Sequence, residues 1–297
     1  MIINPLYLRD AVVPCTLQDG TTYNARLSGH ELWQNMSEEG NCHIWIPFHF
    51  LPGCEGDSLS EKLICKKNSE LANEMIEDVF LSQNENRLYR LGVALHVYAD
   101  TWAHREFIGL TDSENEVTGL NVLEPTVSLE TRIVDGVLAE AAENRLLGHA
   151  RAIHWPDRPY VKWTTNERFP SPDGRSNWDE FLEASNNIYK ILLRFNGKKE
   201  EELPTDKQQL LINTFKIIQI EKCDSRNEEW VKRIKNNEFN FEDTSTEDKN
   251  LSYEKVNLLD TLEGVVNDEW KLFFDAIDEH YSFIRASLNS KGINILE

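Results

Sequence analysis

The stretch from Leu88 to Phe107 constrains the fold more than any other part of the chain. Leu88, Leu91, Leu95, Tyr98, Ala99 and Trp102 recur at helical spacing, which predicts an α-helix buried along one face. Set into it are His96, Asp100 and His104, each four residues from the next. Four residues carry a helix about 40° past a full turn, so the three side chains fall within an arc of roughly 80° and share a face. A carboxylate or imidazole withdrawn from water needs a charge or a hydrogen bond in exchange. A divalent cation would supply that partner. A local His–Asp ion pair would also supply it, and for a single such pair that is the commoner arrangement.

The rest of the composition narrows the partners. With 51 acidic against 31 basic residues, the 297-residue chain carries a formal charge of −20. A surface that acidic repels phosphate backbones, which disfavours long duplex nucleic acid and leaves room for a small phosphoester in a local cationic pocket. Most of those carboxylates serve solubility. No basic segment followed by an apolar run opens the chain, and no apolar stretch reaches the length of a membrane span, so a cytoplasmic protein is expected. Cys15, Cys42, Cys54, Cys65 and Cys223 form no C-x-x-C pair, which argues for reduced thiols and against a structural zinc knuckle.

Along the chain, Gln18 to Tyr23 reads as a tight turn in a small hairpin. Ser28 could cap a helix with Glu31 three residues on, but Gln34 replaces the second His that an H-E-x-x-H protease helix would need after His30 and Glu31. Asn41 to Gly53 is aromatic and interrupted by Pro47 and Pro52, which predicts an extended, packed loop holding His49 near the interior. There His49 is either a core histidine bonded to a backbone carbonyl or a ligand delivered by a rigid loop. Helices are predicted over 59–81, 128–149, 178–193, 205–221 and 268–288, with a short one at 230–234 inside a polar loop at 222–250. His280 lies beside the apolar stripe of the last helix and reads as structural. The small residues Gly136, Ala139, Ala142 and Gly148 would let the 128–149 helix approach the central one, bringing His149 to the His96 face. The expectation is a mainly α, multi-helix bundle with few strands: one helical domain over 1–297, residues 1–165 forming a metal-site core and 166–297 a further helical layer.

Mixed His and carboxylate ligands suit zinc first, then manganese or iron, and hydrolysis is the natural chemistry of such a site. Leu91-Gly92-Val93-Ala94-Leu95-His96, with Asp100 and His104 following at steps of four, resembles the LG-x-x-LH-x-x-x-D-x-x-x-H helix of the zinc-dependent phospholipase C and single-strand nuclease superfamily. Together with Trp45 to Gly53, Gly148-His149-Ala150, Pro156-Asp157 and Trp163, it is more closely similar to a family of uncharacterised bacterial proteins, a domain of unknown function, over about residues 7 to 180. The superfamily resemblance implies a phospholipase C-like helical fold. It also implies zinc on His96 and Asp100, with His149 as the matching ligand from the following helix and Asp10 with His30 or His49 completing the set. Asp100 and His104 are then the candidates for catalytic work, His104 standing behind the ligands because the superfamily's last His lies further along. Relatives in that superfamily begin with a further helix bearing a ligating His, and this chain starts at what looks like its end, so the expected site is mononuclear or altered. The competing all-α HD phosphohydrolases require an adjacent His-Asp dipeptide, which is absent.

The expected function is therefore metal-dependent hydrolysis of a small phosphoester. The alternative is a non-catalytic helical protein that binds a macromolecular partner, such as another protein, through its acidic surface and keeps a structural or degenerate metal site. Charge reversals on the acidic face would abolish the second activity, whereas His96→Ala and Asp100→Ala would abolish only the first.

Overall fold

A computed structural model describes residues 12–17, 19–29, 38–125, 147–239, 265–266 and 268–297. Among these the chain is mainly α. The helices are α1 (Glu38–Phe48), α2 (Leu59–Leu63), α3 (Glu70–Leu81), α4 (Arg87–Ala103), α5 (Asn177–Phe195), α6 (Thr205–Ile217), α7 (Cys223–Lys235) and α8 (Asp268–Ser290). Six short strands form two small sheets. In one, β1 (Val12–Leu17) lies antiparallel to β2 (Thr22–Arg26) and parallel to β6 (Val265–Val266); in the other, β3 (Asn121–Glu124), β4 (Lys162–Thr164) and β5 (Arg175–Ser176) make an antiparallel meander.

Helix α4 is the centre of the bundle and packs against α1, α3, α5 and α8. Its residues Leu91, Ala94, Val97, Tyr98 and Trp102 join Ile46 and Phe48 of α1, Leu71 and Met75 of α3, Ile191 of α5, and Ile277, Ile284 and Leu288 of α8 in one core. Leu88 departs from the expected stripe: it is 70% exposed, on the outward side of a turn whose Asn86 and Arg90 are buried. A second, aromatic core lies beyond the C-terminal end of α4, where Phe50, Phe107, Trp155, Trp163 and Phe169 pack beside the β3–β4–β5 sheet. A third seats the β1–β2 hairpin on α8 through Cys15, Ala25 and Phe274.

Several sequence expectations change. The segment around Pro47 is not an extended loop but the last turn of α1. A proline this close to a helix end forgoes one intrahelical bond, and burial of Ile44, Ile46 and Phe48 outweighs that loss. The helix stops just after it, with His49 and Phe50 N–H both donating to Trp45 O. The single helix expected over 59–81 is two helices. Between them Cys65 N–H donates to Phe107 O and Glu106 N–H to Cys65 O, so that backbone bonds to the end of α4 rather than to itself. A capping box at Ser58 and Glu61 and the Ser69 side chain start the two pieces. Most of the helix expected over 128–149 lies outside the described residues; its end, Leu147 to His149, is a bridge followed by a turn. Cys223–Lys235 is longer than the short helix expected there, the C-terminal helix agrees closely, and the helix from 205 ends at Ile217.

His280 is wholly buried in α8, its Nε2–H donating to Pro47 O at 2.8 Å and its ring stacked on Phe48. Burial holds its pKa at about 4 against an ordinary 6.5; the Pro47 bond opposes the shift and Arg90 assists it. The folded ring is neutral where the unfolded one takes up a proton, so this contribution is present above pH 6.5 and is lost as pH falls towards 4. From this group alone, folding stability should drop by about 3 kcal/mol across that window. Denaturant unfolding of wild type and His280→Gln at pH 7 and at pH 4.5 measures it, and a variant with the wild-type pH slope would refute the assignment.

Candidate metal centre

Five of the six side chains that converge near the end of α4 come from residues the sequence marks, and they form two groups rather than one. In the first, His49 in the turn after α1 meets His96 and Asp100 on α4. His49 Nδ1 lies 3.1 Å from Asp100 Oδ2 and 3.4 Å from His96 Nε2, and His96 Nε2 lies 3.4 Å from Asp100 Oδ2. The other ring nitrogen of His49 is committed, Nε2–H donating to Ser28 O at 2.9 Å in the loop after β2. With that tautomer, His49 Nδ1 presents a lone pair to the same space as the Asp100 carboxylate. The His49 ring is 8% and the Asp100 side chain 16% exposed, whereas the His96 ring is 57% exposed, so the group opens to solvent on one side.

In the second group, His104 at the end of α4 meets His149 and Asp157. One carboxylate serves two rings: Asp157 Oδ1 is 3.2 Å from His104 Nε2, and Oδ2 is 3.4 Å from His149 Nε2. Both rings spend their other nitrogen on backbone, His104 Nδ1–H donating to His49 O at 2.7 Å and His149 Nδ1–H to Ile153 O at 2.8 Å. Phe50 stacks on His104 with 4.3 Å between centroids, and His104 and His149 are 5.1 Å apart. This packing requires glycine at 148. Its φ is +54°, and a Cβ there would come within 2.7 Å of Phe50 Cζ.

Charge is unevenly distributed over the six. Burial alone would raise Asp100, but His96, His104 and His49 together hold it below the ordinary carboxylate range. Asp100 pulls His96 upward, yet desolvation and the neighbouring His49 and His104 leave it below its ordinary value. Burial likewise keeps His149 low against the pull of Asp157. His104 goes the other way: burial opposes its protonation, and the Asp100 and Asp157 carboxylates outweigh burial and raise it to about 9. Asp157 is held far below the carboxylate range despite its burial, by His149 and His104. Without a metal, then, one proton on His104 compensates Asp157.

His/Asp groups of this kind could hold metal ions. Each has two imidazoles and one carboxylate, and three of the four rings, His49, His104 and His149, have their second nitrogen pinned to a backbone carbonyl, the outer-shell arrangement that orients ligating histidines. The structure brings His49, His96 and Asp100 together as the sequence suggests. It places His149 with His104 and Asp157, away from the group holding His96 and Asp100. Asp10 and His30 lie outside the described residues. Asp157 is the member that the sequence reading does not put forward as a ligand, although Pro156-Asp157 carries part of the family resemblance and lies in the ordered, aromatic segment directly after His149.

The family model of a family of unknown function, DUF6765, matches residues 8–288, and the chain belongs to that family. No curated protein and no solved structure matches it. Among the described residues no helix is long and apolar enough to cross a membrane.

The raised His104 pKa stabilises the metal-free fold fully below pH 6.5, and that contribution is lost as pH rises through about 9. Asp157→Asn removes one of the two carboxylates that support it. The His104 ring resonance in NMR titrations of metal-free protein should then move from a midpoint near 9 to a clearly lower one. An unchanged midpoint would mean that Asp157 does not hold the proton there.

Proposed function

We propose that the chain is a metal-dependent hydrolase of small phosphoesters, with His49, His96 and Asp100 holding the working ion and His104, His149 and Asp157 holding a second. The observation that carries this reading is the pinning of three rings: His49, His104 and His149 each donate one N–H to a backbone carbonyl and aim the other nitrogen at a carboxylate oxygen. Rings left to pair with carboxylates alone need no such uniform tautomer control, whereas ligating histidines do. The donor set of two nitrogens and one oxygen suits zinc first and manganese or iron next.

The two groups differ in degree of access: the His96 ring of the first is 57% exposed, and the most open member of the second, Asp157, is 38% exposed. The His96 group opens to solvent through its exposed ring, and three protein ligands with an open side are the pattern of a catalytic centre. A divalent ion there supplies Lewis acidity: it makes water a nucleophile near neutral pH and offsets charge that builds on a phosphoryl or acyl oxygen. Asp100, held low in pKa among His96, His104 and His49, remains anionic at neutral pH and so keeps its ligand form without a cost of deprotonation. His104 acts by position: its bond to His49 O fixes the turn that carries the His49 ring. The phosphoester class rests on the motif resemblance of the α4 helix, and the charge of −20 favours a small substrate over a polyanion.

Metal analysis of protein prepared without chelator or metal-affinity resin should find one to two ions per chain, and His96→Ala should lower the content by one. Hydrolysis of a chromogenic phosphodiester or phosphomonoester should require the ion and fall at least about 100-fold in Asp100→Asn, the scale of losing a group that organises the reacting centre. Metal-free protein whose melting temperature ignores chelator, and which shows no ion-dependent turnover, would overturn the reading.

A further inference from the structure

The segment Arg175-Ser176-Asn177, which joins β5 to α5, contacts both arms of the second centre. Arg175 is 1% exposed, and its Nη2 donates to Trp102 O and to Ala103 O, both at 2.8 Å. Those are the last carbonyls of α4, immediately before His104. A helix C-terminus leaves its final carbonyls without intrahelical donors and carries partial negative charge, so a buried guanidinium satisfies both requirements at once. Two residues on, Asn177 is fully buried, and its Nδ2 donates to Trp155 O at 2.6 Å and to Arg158 O at 2.8 Å. These carbonyls bracket Asp157. The Asn177 Oδ1 accepts from Trp163 Nε1 at 3.0 Å, which fixes the amide's orientation, and its backbone N–H donates to Val161 O.

His149, the third member, is held by a different device. Gly148 N–H donates to Ile108 O, and the buried Asn115 side chain binds the backbone of Ile108 and Leu110. The segment thus bonds directly to two arms of the second centre and reaches the first only at one remove, through the bond from His104 to His49 O.

We propose that Arg175 and Asn177 are positioning residues of the second centre: through backbone bonds they set the separation of His104 from Asp157 and so the affinity of that centre for its ion. The proposal rests on the reading of His104, His149 and Asp157 as metal ligands. Arginine suits position 175 because one planar nitrogen reaches two successive carbonyls from a buried strand, whereas a lysine ammonium on a flexible stem holds them less firmly. Asparagine suits position 177 because only an amide offers donors to the Asp157 turn and an acceptor to Trp163 from one side chain.

The test isolates each centre in the full chain and uses cobalt(II) as a spectroscopic probe. In a His96→Ala background the remaining ion should sit at the second centre, and in a His149→Ala background at the first. Arg175→Met should weaken cobalt binding about 10-fold in the His96→Ala protein, the lower end of the losses seen for outer-shell changes, and should shift its visible ligand-field bands. In the His149→Ala protein, where residue 175 acts on the first centre only through the His104–His49 bond, the loss of affinity and the spectral shift should be much smaller. Arg175→Lys should recover part of the lost affinity, and if Arg175→Met does not fold, the Lys variant carries the same comparison with a smaller loss that again falls mainly on the second centre. Equal weakening in both backgrounds, or none in either, would overturn the positioning role. A His96→Ala protein that binds no cobalt would overturn the second centre itself and the positioning role with it, an outcome distinct from an ion that binds and ignores residue 175.

Discussion

Two carboxylates set among imidazoles, Asp100 largely buried and Asp157 partly so, dictate much of the rest of this structure. Asp100 and Asp157 sit where burial disfavours their charged forms, yet both remain ionised, because imidazoles surround them. Four rings do this work, and His104 adds a full positive charge. Holding rings at such distances is itself demanding, since a side chain loses rotational freedom when buried. The backbone meets that demand: Ser28, His49 and Ile153 carbonyls each take a ring N–H. The surrounding elements follow from where those carbonyls must be. The hairpin delivers Ser28, the end of α1 delivers His49, and the turn after Gly148 delivers Ile153.

The helical scaffold explains why such a cluster can exist in a chain this acidic. Helix α4 is packed by four other helices, so its register is set by Leu91, Ala94, Val97, Tyr98 and Trp102 and not by the polar residues it carries. His96, Asp100 and His104 ride on that register. Trp102 and His104 are two residues apart, one in the main core and the other stacked on Phe50 of the aromatic core, so the end of α4 is where the two cores meet. Arg175 caps the helix at that junction.

How much of this was legible beforehand depends on range. The α4 helix and its His/Asp steps could be read because helical periodicity is a local property, and the β1–β2 hairpin because its turn chemistry is too. Helix α1 was misread: the rule that proline breaks helices is local, whereas the burial of Ile44, Ile46 and Phe48 that overrides it is tertiary. The break at Cys65 was hidden for the same reason, its backbone partners lying some 40 residues away at Glu106 and Phe107. In the centre itself, the step of four puts His96 and Asp100 on one helix face, while His49 stands open in the sequence between a core histidine and a ligand, and only the fold brings it to them. The division into two groups could not be read, because a step of four along a helix says which face a residue occupies and nothing about which loop arrives opposite it. Asp157 arrives on a loop, and Asn177, which holds that loop, carries no signature at all.

One residue belongs to both groups. The His49 ring faces His96 and Asp100, and its carbonyl receives the His104 N–H. A turn that shifts to tighten one group therefore moves an anchor of the other. Between two binding events joined in this way, thermodynamics permits no one-way influence: any factor by which an ion in the first group changes affinity in the second must be returned in the opposite direction. With ions in both groups, the peptide unit at position 49 would be a shared term in two equilibria, and the ion that first occupied one group would set the starting point for the other.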